Sequence, residues 1–186
     1  MARIAIVYHS GYGHTARQAT SVHDGAASVP GVTAQLIPVS DVDRHWDDLA
    51  AADAVVFGAP TYMGSLSAAF KEFMEKSSKV WAAQGWKDKL AAGFTNSASQ
   101  SGDKLNSLVE LVIFASQHGM LWVSLGLLPG NNTSKGSDDD LNRLGSYTGA
   151  MAQSNADQGA DAMRDSDLGT AAHLGRRVAE LALRLR

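Results

Sequence analysis

Five short segments of strand character alternate with stretches of helical period along the chain. Ile4–Tyr8 (I-A-I-V-Y), Leu90–Phe94 (L-A-A-G-F) and Met120–Val123 (M-L-W-V) are apolar runs of strand length. The unbroken run Ala54–Phe57 (A-V-V-F) reads as a central strand. Val32–Val39 mixes polar and apolar positions and carries Pro38 near its end, which places it at a sheet edge. Between them, Ala16, Ala19, Val22 and Ala26 give a helix over 14–27 a small apolar face. A short exposed helix is expected over 41–52. A third helix follows Ser65 as cap, with Leu66, Phe70, Phe73 and Met74 recurring at helical spacing. Val80–Trp86 reads as an aromatic-bearing connector. Leu105, Leu108, Val109 and Val112 predict the buried face of a fourth long helix, ending near His118 and Gly119. From Ser124 to about Asp167 the pattern stops, and glycines, asparagines and an Asp138–Asp140 run take over. A segment this long without regular structure is usually functional or disordered. A last helix is expected over 168–186, with Leu174, Val178, Leu181 and Leu185 on one face.

Strands alternating with helices argue for an α/β fold: a parallel sheet with helices on both faces. In such sheets ligands sit beyond the carboxyl ends of the strands, where the strand order reverses. Three loops rich in Gly, Ser and Thr fall at that edge. The first is Ser10-Gly11-Tyr12-Gly13-His14-Thr15, directly after the first strand and at the start of a helix. Its glycines allow a sharp turn that aims several N–H groups at one spot, and the helix N-terminus adds its dipole. The loop is open to two readings, a phosphate site or a plain strand-to-helix turn. G-x-x-x-x-G-K-[ST] and G-x-G-x-x-G are both absent, so a single phosphate monoester suits it better than a nucleoside triphosphate or a dinucleotide. The second loop is Pro60-Thr61-Tyr62-Met63-Gly64, and the third runs from Thr95 through Asn96, Ser97, Ser99 and Gln100 to Gly102. Their convergence on one edge favours the cofactor reading over the turn.

Composition narrows the chemistry. The 186 residues fit one domain, 1–186, with a loop insertion at about 124–167. There is no cysteine, which excludes disulfides, thiolate metal sites and a cysteine nucleophile. The six histidines include no H-x-x-x-H pair, so no metal site is expected. A net charge of −3 with scattered basic residues leaves no footprint for nucleic acid. No apolar run approaches the ~18 residues of a membrane span, and Met1–Arg3 lead straight into a strand without a secretory leader. A cytoplasmic location is the expectation. Acidic residues are missing from the end of the first strand (Tyr8, His9, Ser10), which rules out a phosphorylated receiver domain.

With Y-H-S-G-Y-G-H-T near the start, G-A-P-T-Y-M-G in the middle, the Thr95–Gly102 loop and S-Q-H-G-M at 116–120, the chain resembles the flavodoxin-like family. Within it, the resemblance is to NAD(P)H:quinone oxidoreductases of the tryptophan-repressor-binding-protein type. The likeness implies a doubly wound, five-stranded parallel sheet of order 2-1-3-4-5 between two helical layers. It implies FMN as cofactor, NADH or NADPH as donor, a quinone or similar acceptor, and a homodimer or homotetramer. By the same likeness Ser10, Gly11, Tyr12, Gly13, His14 and Thr15 would hold the FMN phosphate. Pro60, Thr61, Tyr62, Met63 and Gly64 would run along the isoalloxazine, and Thr95, Asn96, Ser97, Ser99 and Gln100 would bind its other edge and the ribityl chain. Trp81 would wall a substrate pocket, and His118 with Tyr62 would face the reacting ring. Tyr62 and Met63 stand where the family commonly has Arg and Phe. The alternative is a non-enzymatic FMN protein, either an electron carrier or a regulator. Carriers are usually strongly acidic, to steer onto basic partners, and −3 is a modest charge.

Overall fold

A computed structural model describes residues 1–186. β1 (Ala2–Tyr8) leads through α1 (His14–Ala27) to β2 (Val32–Pro38). A 3-10 turn over Val39–Arg44 and the short α2 (Trp46–Ala51) precede β3 (Ala54–Tyr62). β3 folds back on β4 (Ser65–Leu66), and α3 (Ala68–Lys76), α4 (Ser78–Ala82) and β5 (Leu90–Ser97) follow. Then come α5 (Lys104–Gln117), β6 (Leu121–Trp122), β7 (Ala150–Gln153) and α6 (Asp165–Arg184). The main sheet is parallel, in the order β2-β1-β3-β5-β6, with β4 added antiparallel to β3 and β7 parallel to β5. This is the doubly wound arrangement expected, and β2 with Pro38 is an edge strand.

The fifth strand position is shared by two pieces. Leu121 and Trp122 pair with Leu90 and Ala91, while Ala150–Gln153 pair with Phe94–Ser97 farther along β5. The segment expected to be loop from 124 to 167 therefore contains a strand, and the excursion proper spans 124–149. It is fastened down. Asn142 donates from Nδ2 to the Leu127 and Ser146 carbonyls at 3.1 and 2.8 Å and accepts the Ser146 N–H at 2.8 Å. Its own N–H meets Thr170 Oγ1 of α6 at 2.8 Å. Arg143 and Asp167 form a bidentate, almost fully buried ion pair at 2.9 and 2.8 Å. α6 starts at Asp165, ahead of the Leu168 expected from its apolar spacing.

Alternation along the central strands divides the core. Ile4, Ile6, Ala54, Val56, Ala92 and Phe94 face α1 and α6, while Ala5, Val7, Val55, Phe57 and Ala91 face α3 and α5. Two expectations shift. β3 and β5 run on to Tyr62 and Ser97, so Pro60–Tyr62 and Thr95–Ser97 of the loop segments are strand. α5 buries Leu108, Leu111, Phe114 and Ala115, whereas Leu105, Val109 and Ile113 are exposed. The helix carries two interleaved apolar stripes, and its period fits either one. No helix is long and apolar enough to cross a membrane, and no cluster of His, Asp or Glu is placed to hold a metal ion.

Candidate functional site

The carboxyl ends of β1, β3 and β5 open into a cavity of about 1000 Å³. It sits at the point where strand order reverses, β1 being flanked by β2 on one side and β3 on the other. The first loop contributes Ser10, Tyr12, His14 and Thr15. Gly13 caps α1 with φ of 92°, a left-handed conformation that a β-carbon disfavours. Its N–H donates to Ser10 Oγ at 3.1 Å, which closes the turn. The N–H groups of Tyr12, His14 and Thr15 meet no protein acceptor, and neither does the hydroxyl of the buried residue Thr15. Several donors and a helix dipole thus converge on one end of the cavity, the physical requirement for a phosphate.

The second wall is Pro60–Gly64, where the β3–β4 hairpin turns through Met63 (φ 50°) and Gly64 (φ 82°). Tyr62 meets Tyr12 edge to face, ring centroids 6.3 Å apart. Burial, with Tyr12 beside it, pushes the Tyr62 phenol up from its ordinary value, so it stays a neutral donor. The third wall is Asn96, Ser97, Ala98, Ser99 and Gly102. Asn96 Nδ2 donates to Ser154 Oγ at 2.8 Å, while its buried Oδ1 has no partner. A buried acceptor left unpaired in the protein is costly, and at a cavity wall it marks where a ligand donor belongs.

A fourth wall escapes a reading from sequence. Ser154, Asn155, Ala156, Asp157 and Gln158 follow β7 and close the cavity opposite the hairpin. His14 Nε2 donates to the Gln158 carbonyl at 2.9 Å and ties this wall to the first loop. The only signal was A-M-A-Q before S-N-A-D-Q, an apolar run too short to stand out from the insertion around it. Lys104 is the other residue missed; it is fully buried beneath the third loop.

Several expected site residues lie elsewhere. Thr95 is buried below the floor, donating to the Ala59 carbonyl at 2.7 Å and sharing a hydroxyl contact with Thr61 at 2.8 Å. Gln100 lines a shallow groove against Leu105 and Arg143. Trp81 and His118 border a separate cavity of about 830 Å³ between α3, α4 and α5. The hairpin divides the two cavities: Pro60–Gly64 face the first, Ser65 and Leu66 the second. His118 Nε2 bonds Ser77 Oγ at 2.9 Å, and the imidazole lies 4.4 Å from the Trp86 ring. Burial pushes it down to about 4, so near neutrality it is uncharged and has no proton of an imidazolium to give. Within one chain it does not reach the first cavity.

The family described as NADPH-dependent FMN reductase matches residues 21–131. A relative named flavodoxin FldP, from Pseudomonas aeruginosa, is 45% identical over all of this chain and 99% of its own. The chain belongs to the flavodoxin-like family, of the tryptophan-repressor-binding-protein type. An Archaeoglobus fulgidus relative named NAD(P)H dehydrogenase (quinone) is 30% identical over the full length of both chains. Among solved structures, a WrbA-like flavodoxin from Agrobacterium tumefaciens superposes with a TM-score of 0.80 and 42% identity, each chain covered completely. An archaeal flavodoxin at 20% identity, TM-score 0.68, shares the fold. In this flavodoxin-like chain the cavity lies where the strand order reverses.

Proposed function

We propose that the chain binds FMN in the first cavity and passes two electrons from NAD(P)H to a quinone or similar acceptor. The observation that carries this reading is the set of unpaired groups on the cavity walls. The free N–H groups and Thr15 hydroxyl of the first loop fit a phosphate, and the orphaned Asn96 Oδ1 fits a hydroxyl or ring N–H. Tyr12, Tyr62 and Met63 offer a flat apolar flank for an aromatic ring system. When bound, FMN supplies the hydride-accepting ring, and the protein supplies binding, orientation and electrostatics. Ser10 and Gly13 would hold the phosphate loop in shape, Asn96 would accept from the cofactor, and the 154–158 wall would limit water. The family model and the relatives named quinone dehydrogenases support the two-electron reading.

A second reading, an FMN electron carrier, is favoured by the 45% identical relative named a flavodoxin. The two separate in one experiment. The purified protein is mixed with FMN, reduced anaerobically with NADPH or NADH, and then given a benzoquinone. Bleaching of the visible flavin bands by the nicotinamide and their return with the quinone is the expected result. Bound FMN that no nicotinamide reduces leaves the carrier reading, and absence of bound FMN removes both.

A homodimer or homotetramer belongs to the same proposal. Leu105, Val109 and Ile113 form an exposed apolar stripe on α5, and Trp81 is half exposed nearby. Light scattering of the FMN-bound protein should give a multiple of 19.6 kDa.

A further inference from the structure

Lys104 opens α5 and is completely buried. Its ammonium donates to Ser97 Oγ and to the carbonyls of Ser99 and Gln100, each at 2.8 Å, which uses all three protons. The peptides are trans, so a carbonyl drawn inward sends the next N–H outward. The N–H groups of Gln100 and Ser101 are thereby turned away from the lysine. None of the N–H groups from Ala98 to Gly102 meets a protein acceptor. Ala98, Ser99 and Gly102 of this stretch line the first cavity. The loop is a run of unpaired donors with a buried cation behind it, an arrangement suited to negative charge.

The lysine has no carboxylate of its own. Asp167 of α6 is committed to Arg143, and it also accepts the Gln153 N–H at 2.9 Å. That pair is neutral as a unit. Burial pushes Lys104 down to about 8, with Asp167 opposing the shift and Arg143 adding to it. Across the cavity stand Tyr12, Tyr62 and His14 and, in the fourth wall, Asp157. A buried cation this poorly compensated gains from any anion that arrives on the far side of its loop.

We propose that Lys104 is a positioning residue for the bound flavin. It fixes the 97–102 loop that walls the cavity and supplies the buried charge that favours the reduced, anionic isoalloxazine over the neutral, oxidised one. The inference rests on the FMN reading. Hydride transfer from NAD(P)H moves two electrons and one proton to the flavin, leaving NAD(P)⁺ and one net negative charge on the flavin. Charge near the ring is one of the ways a protein tunes it.

The test compares the midpoint potential of bound FMN in the wild type, Lys104→Met and Lys104→Arg, measured anaerobically against reference dyes. The expected result for Lys104→Met is a tenfold loss of preference for reduced over oxidised FMN, about 30 mV more negative for a two-electron couple. Lys104→Arg should recover most of it. An unchanged potential in Lys104→Met, or the same drop in both variants, overturns the inference while leaving FMN binding in place. Should Lys104→Met fail to fold by circular dichroism, the wild-type potential decides. Its fall with pH should steepen above about pH 8, where reduction takes up a further proton on Lys104. An unbroken slope overturns the inference. A wild type that binds no FMN overturns this and the flavin reading together.

Discussion

On one face of the sheet, α1 and α6 touch backbone to backbone; on the other, α3 and α5 are held off by a block of aromatic rings. The first face is built from Ala, Val, Ile and Leu, with Phe94 its single aromatic core residue. Gly25 and Gly175 mark the crossing. A β-carbon at Gly25 would lie 1.9 Å from the Ala172 carbonyl oxygen, and one at Gly175 the same distance from that of Val22. The second face gathers Phe57, Phe70, Phe73, Trp86 and Phe114, with Phe57 in edge or tilted contact with the other four. The difference teaches how the cavity is held. α1 carries the first loop at its N-terminus, and close packing on α6 fixes the helix from which that loop starts. The aromatic face instead supports the hairpin and the third loop, and at its margin leaves room for the second cavity with His118.

The strongest way to break the comparison is to empty the aromatic side. Phe57→Ala should cost about 3–5 kcal/mol, since a buried ring is lost from a cluster that cannot collapse around the gap. Urea unfolding reads this directly, and a cost below about 1 kcal/mol would show the aromatic block to be looser than its ring contacts imply.

Gly25→Ala should come next. Elsewhere in a helix the change would gain about 1 kcal/mol of propensity. Here the new methyl meets backbone, which cannot swing aside as a side chain would, so a net loss of about 2–3 kcal/mol is expected. Thermal unfolding of the variant checks the sign, and a gain in stability would mean that the two helices can separate freely.

The third effect concerns pH and needs no substitution to appear. The His118 imidazole is lowered to about 4 in the folded chain from an ordinary 6.5. Between those values the unfolded chain binds more protons, so stability is whole above pH 6.5 and declines as the pH falls toward 4. The decline by pH 4 should be on the order of 3 kcal/mol. His9, also lowered by burial, acts in the same direction. Chemical denaturation across that range should show a shallower slope in His118→Gln than in the wild type. Equal slopes would place the proton uptake elsewhere.

The pattern of the chain carries much of this. Ile4–Tyr8, Ala54–Phe57 and Leu90–Phe94 are legible as strands because short apolar runs bounded by Gly, Ser and Pro have few other uses. Ser10–Thr15 and Pro60–Gly64 are legible as tight turns at strand ends because positive-φ glycines and hydroxyls there have a local cause, and residues of both line the first cavity. The split fifth strand was not legible. Four residues, Ala150–Gln153, acquire strand character only by pairing with Phe94–Ser97, a partner far away in sequence. The fourth wall went unseen with it.

The sequence by itself determined the alternation of elements, the parallel sheet and the edge at which the Gly- and Ser-rich loops gather, because periodicity and turn chemistry act over neighbouring residues. Tertiary structure alone decided which stripe of α5 is buried, that Lys104 turns under its loop, and that His118 lies across the hairpin from the first cavity. Those are contests between faces of near-equal hydrophobicity and between distant partners for the same hydrogen bonds, and they are settled only when the layers close on one another.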